Sequence, residues 1–488
     1  MKMKQTFKFF MMAAIMAVGF IGCSNEDIGG DPGKGPVNGA EGNAVINVYD
    51  STGKTYAAGT ATDTPSGTEQ LNASIDKINI YVYKDDGEME KALPNHKLNT
   101  GSPRKTDNFK LVTGDKHPYI FISQIPLNVP ASGISAFEKQ ELTPSWTNNK
   151  PSIAKDNAFA LGTLWGGQKS TVTGSGTSAT PETFTMKIGR AAAKVTLKVN
   201  NTSGKLTASG ALKGEFNISN GQANTHATWR LGAVPTTYYL VGQYTNTTTP
   251  GFAGAPPAIG AKVISAAHNQ PPVQSDNTTP NPYYKSNEAF DLVVVGNNGS
   301  TLYTLENTSE YGTTDGTPGP ESKQYYGNTT YLQLKIKYTP KSYANGQSGD
   351  DGEILNTDGS RFTGVLSGGT FYTAKNVAGQ LGIYADNPTG KTDPNDPNSG
   401  QYSDVKTYTD GFVYYKFPVK DNSEEGDQNT MLHSVIRNHS YNVTVRSISR
   451  LGETDPKVNP KEPIEEVKDV AIEVEVSQWS KIDQIEDL

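Results

Sequence analysis

The sequence predicts an all-β chain built from antiparallel β-sandwiches, and three observations carry that expectation. Apolar residues alternate with polar ones in short runs along the chain, the period of half-buried strands. Between the runs lie turn formers: the 488 residues include Gly 50 and Pro 29, among many Thr, Asn and Ser. Only one segment reads as a helix, a short one begun by Ser135, with Glu138 three residues later in the capping-box spacing. Short antiparallel strands joined by glycine and asparagine turns point to sandwiches rather than parallel sheets. A prior of about 150 residues per domain suggests three domains, but all-β domains often reach about 200–250, so two are equally natural.

The amino-terminal residues address the chain to an export route. Lys2, Lys4 and Lys8 form a positive region, and residues 9–21 are an unbroken apolar or small run. That order is a secretory signal, here residues 1–22. The run is shorter than the roughly 20 apolar residues of a permanent membrane span. It ends at Phe20-Ile21-Gly22-Cys23, and Cys23 is the one cysteine in the chain. A lone cysteine forms no intramolecular disulfide. Its place resembles the lipobox of bacterial lipoproteins, where the thiol is acylated before cleavage. Phe20 stands where that pattern has an aliphatic residue, and the plainer alternative is an ordinary signal with an incidental thiol. Two or more acyl chains anchor stably where one binds marginally, so Cys23 is the candidate lipidation site. Residues 23–43 are a Gly/Pro tether with too little apolar surface to order itself.

The strands follow in order. Ala44–Asp50 is the first. In the second, Ile78, Ile80 and Val82 alternate with Lys77, Asn79 and Tyr81. Residues 118–125 form another, and 184–199 a long one or two, with Val195, Leu197 and Val199 on one face. The turn-rich run at 200–210 marks a domain boundary, giving a first domain of 44–200 and a second of 201–455. The second contains strands within 228–241, 331–338, 371–378, 412–419 and 441–448. Two Pro/Asn-rich stretches, 245–287 and 387–403, exceed ordinary loop lengths and read as exposed surface loops.

Residues 456–469 are charged and proline-bearing, so they read as an extended, poorly packed tether. After them Val470, Ile472, Val474 and Val476 share one face of a strand, with Ala471, Glu473 and Glu475 on the other. Such a strand has two homes: its own subunit, as an ordinary edge strand, or a neighbour, to which it supplies ladder hydrogen bonds and pocket-filling side chains. Four buried aliphatic side chains contribute roughly 6–12 kcal/mol gross, the scale of a domain's whole stability.

Several stretches, in order along the chain, resemble the fimbrillins of Bacteroides-group bacteria, in particular their major shaft subunits. They are the Lys-rich signal ending at Cys23, Ile188-Gly189-Arg190 leading into Ala193-Lys194-Val195, the run 331–341, the run 435–452 (VIRNHSYNVTVRSISRLG), and the terminal β-segment with Trp479. The resemblance implies two tandem transthyretin-like β-sandwich domains, export as an outer-membrane lipoprotein precursor, and no enzymatic activity. It further implies proteolytic removal of the first strand and polymerisation by strand exchange, with 456–488 as tether and donor strand. Its partners would be other copies of the chain, accessory tip and anchor subunits, and the outer membrane through the lipid before processing. The destination would be cell-surface fimbriae that support adhesion. One departure matters: the family's processing protease is typically arginine-specific, yet the first arginine is Arg104. The basic candidate just past the first strand is Lys54, flanked by Gly53 and Thr55. A fimbrial anchor and a monomeric surface lipoprotein that binds a glycan or host ligand are the alternatives.

Other chemistry finds little support. Charged residues are 19% and the net charge is −7, which offers no electrostatic footprint for nucleic acid. Residues 166–170 (GGQKS) lack the glycine before lysine that a phosphate loop needs. Asp393, Asn395 and Asp396, like Asp350, Asp351 and Asp358, miss the EF-hand spacing and read as turns. His433 and His439 flank Arg437 without metal-pair spacing. No Gly-x-Ser-x-Gly elbow is present. The expectation is therefore no catalytic residue, no metal and no cofactor beyond a covalent lipid on the precursor.

Overall fold

Alternating strands close on themselves in the amino-terminal half and stack as two layers in the carboxy-terminal half. The computed structural model describes residues 40–50, 76–101, 104–122, 133–147, 150–151, 154–155, 158–159, 161–163, 170–200, 204–209, 214–218, 227–244, 263–276, 278–285, 293–295, 300–309, 324–340, 364–367, 370–373, 406–408, 412–421, 433–464 and 470–478. All of these lie in the compact unit Gly39–Leu488.

The first assembly comprises β1 (Glu41–Asp50), β2 (Lys77–Lys84), β3 (Met89–Asn99), β4 (Arg104–Thr106), β5 (Phe109–Val112) and β6 (Gly114–Ile122). It continues through helix α1 (Ile134–Glu138), β7 (Leu161–Thr163), β8 (Ser170–Val172) and β9 (Glu182–Arg190). The strand order is β7-β9-β1-β4-β3-β2-β6-β8, with β5 also on β1 and β7 pairing back onto β6. That last pairing closes the sheet into a ring. Inside it pack Ala44, Ile46 and Val48 from β1, Ile78, Ile80 and Val82 from β2, and Phe184, Met186 and Ile188 from β9. These are every second residue of each strand, as the pleat requires. The other face of β2 is also covered, because Tyr81, Tyr83 and Tyr119 pack with Ile134 and Phe137 of α1 and with Leu240 and Val241.

The second assembly comprises β10 (Ala192–Val199), β11 (Lys205–Thr207), β12 (Gly214–Asn217), β13 (Ala227–Gly232), β14 (Val293–Val294), β15 (Ser300–Leu305), β16 (Tyr331–Pro340), β17 (Phe412–Pro418), β18 (His439–Ile448) and β19 (Val470–Gln478). One sheet runs β15-β10-β18-β19, and the other runs β11-β12-β16-β13-β14 with β17 on β16. Their facing residues share one core, including Val195, Leu197, Trp229, Leu332, Leu334, Phe417, Tyr441 and Val443. Two sheets over one core make a β-sandwich. A register shift between Val445 and Ser447 resets the alternation in β18, so that Ile448 joins Tyr441, Val443 and Val445 inside.

Several sequence expectations need correction. Most ladders are antiparallel, but β1 runs parallel to β9 and β10 parallel to β18. The sheets change hands at Ala191, between β9 and β10, whereas the turn-rich run places a boundary at 200. Helix α1 starts at Ile134, so Ser135 is inside it, and Glu138 accepts a hydrogen bond from the Tyr119 hydroxyl instead of closing a capping box. Within the supposed exposed loop 245–287, residues 263–276 and 278–285 are folded: Val263, Ala267, Val273 and Tyr284 are buried, and the Tyr284 hydroxyl donates to the Ala267 carbonyl at 2.7 Å. The supposed tether from 456 is packed as far as Ile464, which is 1% exposed. In both segments proline and asparagine suggest solvent, yet their backbone carbonyls are taken up by the body of the fold.

Candidate functional site

The elements singled out for assembly occupy contrasting positions. Strand β1 lies within the ring. Along one edge Ala44–Asp50 pairs with Glu182–Ile188 of β9. Along the other, Glu41–Ala44 pairs with Phe109–Val112 of β5, and Asn47 and Val48 pair with Lys105 and Arg104 of β4. The Ile46 amide also donates to the Thr106 hydroxyl at 2.9 Å. Ala44, Val45, Ile46 and Val48 are each no more than 2% exposed. Taking β1 away would unpair both flanking edges and open the inner pockets to whatever strand could fill them.

Among the described residues strand β19 pairs with β18 alone, from His439 with Gln478 to Ile448 with Val470. Val470, Ile472, Val474 and Val476 therefore belong to an edge strand attached along one side. Cys23 and Lys54 lie outside the described residues, as do the Asp/Asn runs at 350–358 and 393–396. Arg104 is buried in β4, and burial lowers its pKa. An arginine-specific protease would not find it presented on a loop.

A polar seam fixes the entry into β18. The Arg190 amide donates to Asn438 Oδ1 at 3.0 Å, and the Asn438 amide donates to the Ala192 carbonyl at 2.9 Å. Two stretches of the resemblance, 188–195 and 435–452, thus meet at the point where β9 passes into β10. Asn438 has φ +60°, the left-handed region that asparagine tolerates better than most side chains. Next to it, Arg437 forms a buried ion pair with Glu306 at 3.2 Å and donates to the Tyr239 carbonyl at 2.9 Å. Asp421, fully buried, accepts from the Tyr441 hydroxyl at 2.5 Å and lies 3.0 Å from His439 Nδ1. His433 Nδ1 lies 3.0 Å from Gln324 Oε1, and burial, with Lys420 nearby, holds its pKa down at about 3. Each histidine is thus tied into a hydrogen-bonded core. These side chains orient β18, and no signal in the linear pattern joined Asp421, Glu306 and Gln324 to it.

Comparison with known proteins adds a family to this geometry. Residues 406–484 match the family model described as major fimbrial subunit protein type IV, fimbrillin, C-terminal. The carboxy-terminal region of this chain is fimbrillin-like. The match takes in β17, β18 and β19, and with them both ends of the β18–β19 ladder. No curated protein matches the sequence. Among solved structures, a fimbrilin from Porphyromonas gingivalis W83 aligns at 14% identity and TM-score 0.41, over 91% of this chain and 99% of that one. The tip fimbrial protein Mfa3 from Porphyromonas gingivalis, truncated at its C-terminus, aligns at 12% identity and TM-score 0.37, over 90% and 100%. A protein from Bacteroides eggerthii, described as a candidate cell adhesion protein, aligns at 15% identity and TM-score 0.42, over 91% and 98%. Likeness at this level decides nothing further about the chain.

Proposed function

We propose that the chain is a structural subunit of bacterial surface fimbriae, exported as a lipoprotein precursor and polymerised by strand exchange. The observation that carries this reading is the position of β19. Among the described residues it is an edge strand held by one ladder, and it lies within the segment that matches the fimbrillin C-terminal model.

In this reading Cys23 is acylated and holds the precursor at the outer membrane. A trypsin-like protease then cuts after Lys54, four residues beyond the end of β1, releasing the lipid and β1 together. The vacated slot presents the edges of β9 and of β4 and β5, with pockets shaped for Ala44, Ile46 and Val48. A neighbour's β19 fills it, its backbone replacing the lost ladder and Val470, Ile472, Val474 and Val476 entering the pockets. Donor and acceptor sit on different parts of the chain, so the contact is heterologous and grows a filament instead of closing a pair. Tip and anchor subunits would occupy the two ends of such a filament, and the assembly would support adhesion.

The test is deletion of 470–488, which should abolish the ladder of oligomers on unboiled gels while the chain is still exported. Ladders that persist without those residues would refute strand donation. Sequencing the amino terminus of assembled filaments tests processing, where Thr55 is expected. A filament chain that starts at Cys23 would overturn the cleavage and favour an anchor role.

A further inference from the structure

From the end of β18 as far as Ile464 the chain does not hang free. It crosses over β17, where the Tyr414 and Glu453 amides and carbonyls exchange hydrogen bonds at 3.0 and 2.8 Å. It then runs over the solvent side of β16, where Gln333 Nε2 donates to the Pro456 carbonyl at 2.7 Å. The Gly327 amide donates to the Pro460 carbonyl at 2.9 Å, Tyr326 to Glu462 at 3.0 Å, and the Ile464 amide to the Gln324 carbonyl at 3.0 Å. Lys416 pairs with Glu462, and Ile464 packs against Ala233, Tyr326 and Tyr331. The approach is so close that two glycines are obligatory. A Cβ on Gly452 would lie 2.3 Å from the Tyr414 carbonyl oxygen, and one on Gly327 would lie 2.7 Å from Pro460.

We propose that this strap, Glu453–Ile464, stays on its own second sandwich when β19 is given to a neighbour, so that consecutive subunits are joined by residues 465–469 alone. The proposal rests on the strand-exchange reading above. Its physical basis is the contrast in attachment: the strap is bonded at both ends and in its middle and buries an isoleucine, whereas β19 is held along one edge among the described residues. From Ile464 to Val470 the chain spans at most roughly 20 Å. The strap end of the donor must therefore lie within that distance of the acceptor's slot, and the folded bodies abut. The axial repeat of the filament is then limited by this short connection, not by a longer flexible linker.

A disulfide lock tests this. Tyr325 and Pro463 face each other across an antiparallel bridge whose hydrogen bonds, Tyr326 to Glu462 and Ile464 to Gln324, lie on either side. A non-hydrogen-bonded pair of that kind has Cα atoms about 4.5 Å apart, within the span of a disulfide. The double variant Tyr325→Cys/Pro463→Cys, oxidised and with the bond verified by peptide mapping, should form ladders on unboiled non-reducing gels as abundantly as the parent chain. Ladders under reduction but monomers when oxidised would overturn the strap while leaving strand exchange intact. Ladders that survive deletion of 470–488 would overturn both. Should the double variant fail to fold, six Gly/Ser residues inserted after Glu466 decide the matter. A longer axial repeat in electron micrographs is expected, and an unchanged repeat would mean the strap had already come away.

Discussion

Strands β1 and β19 are similar ribbons in opposite situations. Each carries aliphatic residues at every second position, and each lies next to a strand that ends at the seam between the two assemblies. But β1 has partners on both edges and closes a ring, while β19, among the described residues, has one partner and ends a sheet. Burying Val45, Ile46 and Val48 contributes roughly 5–9 kcal/mol, comparable to the net stability of a whole domain. The chain that holds β1 is therefore a finished fold. A chain stripped of it is an unfinished one that needs an equivalent strand. Among the described residues, β19 contributes one ladder to the second sandwich, the one with β18. In the proposed strand exchange, the difference makes β19 the donor and the place of β1 the acceptor.

The most drastic test of that asymmetry is to remove each strand by construction. A chain lacking residues 1–54 should polymerise without any protease, and one lacking only 470–488 should remain a folded monomer. A chain lacking both has an open ring and nothing to fill it, and should aggregate or lose its cooperative unfolding transition. Size-exclusion chromatography with circular dichroism distinguishes the three. A stable monomer of the doubly truncated chain would show that β1 is dispensable to the first assembly, and the comparison would collapse.

A gentler change probes the same strand without deleting it. Ile46→Ala removes a fully buried side chain from the ring and should destabilise the precursor by about 2–4 kcal/mol in urea unfolding. If β1 is excised on assembly, the same substitution should leave the heat resistance of mature ladders unchanged. An equal loss in both forms would mean that β1 remains in the filament.

Helix α1 links the two regions and carries an ionisable group where they touch. Glu138 is buried beneath Tyr119, its backbone carbonyl accepts from Gln243 Nε2 at 2.9 Å, and burial pushes its pKa up to about 7. The folded state thus holds a proton that the unfolded chain releases near its ordinary value of 4.5. Stability attributable to this group is full below about pH 4.5, falls as pH rises, and levels off above about pH 7, a span of up to about 3 kcal/mol. Glu138→Gln should flatten that slope in denaturant titrations between pH 4.5 and 7, and a slope that persists would assign it to other groups.

How much of this was visible in the linear sequence depends on the range of the interaction. The alternation in 78–82, 195–199, 331–338 and 470–476 is local, and each run is a strand. The parallel joins of β1 to β9 and β10 to β18 link residues more than 130 and 240 positions apart, and no local period encodes them. Ring closure between β6 and β7 is hidden for the same reason. Residues 263–276 and 278–285 look like exposed loop, and 456–464 like an extended, poorly packed tether, because composition registers side chains, whereas their burial follows from backbone carbonyls such as those of Pro456, Pro460 and Pro463's neighbour Glu462. Glu138 fits a capping box by spacing, but a buried tyrosine hydroxyl competes for its carboxylate. For the assembly elements, the face of the terminal strand was legible from its alternation. The single-edge attachment that makes it a candidate donor was not, since it depends on what fails to pair with it.

The smallest expected effect lies at the seam, and it separates two causes. Asn438 serves both as an acceptor for the Arg190 amide and as a residue at φ +60°. Asn438→Ala loses the acceptor and strains the left-handed backbone, for a combined cost of about 2–3 kcal/mol. Asn438→Gly loses the acceptor alone and relieves the strain, so its cost should be about 1–2 kcal/mol. Urea unfolding of both variants measures the two contributions. If glycine proves as damaging as alanine, the hydrogen bond between the assemblies dominates at this position. If glycine is neutral, the asparagine is there for its backbone, and the seam is held by Arg437, Glu306 and the ladder between β10 and β18.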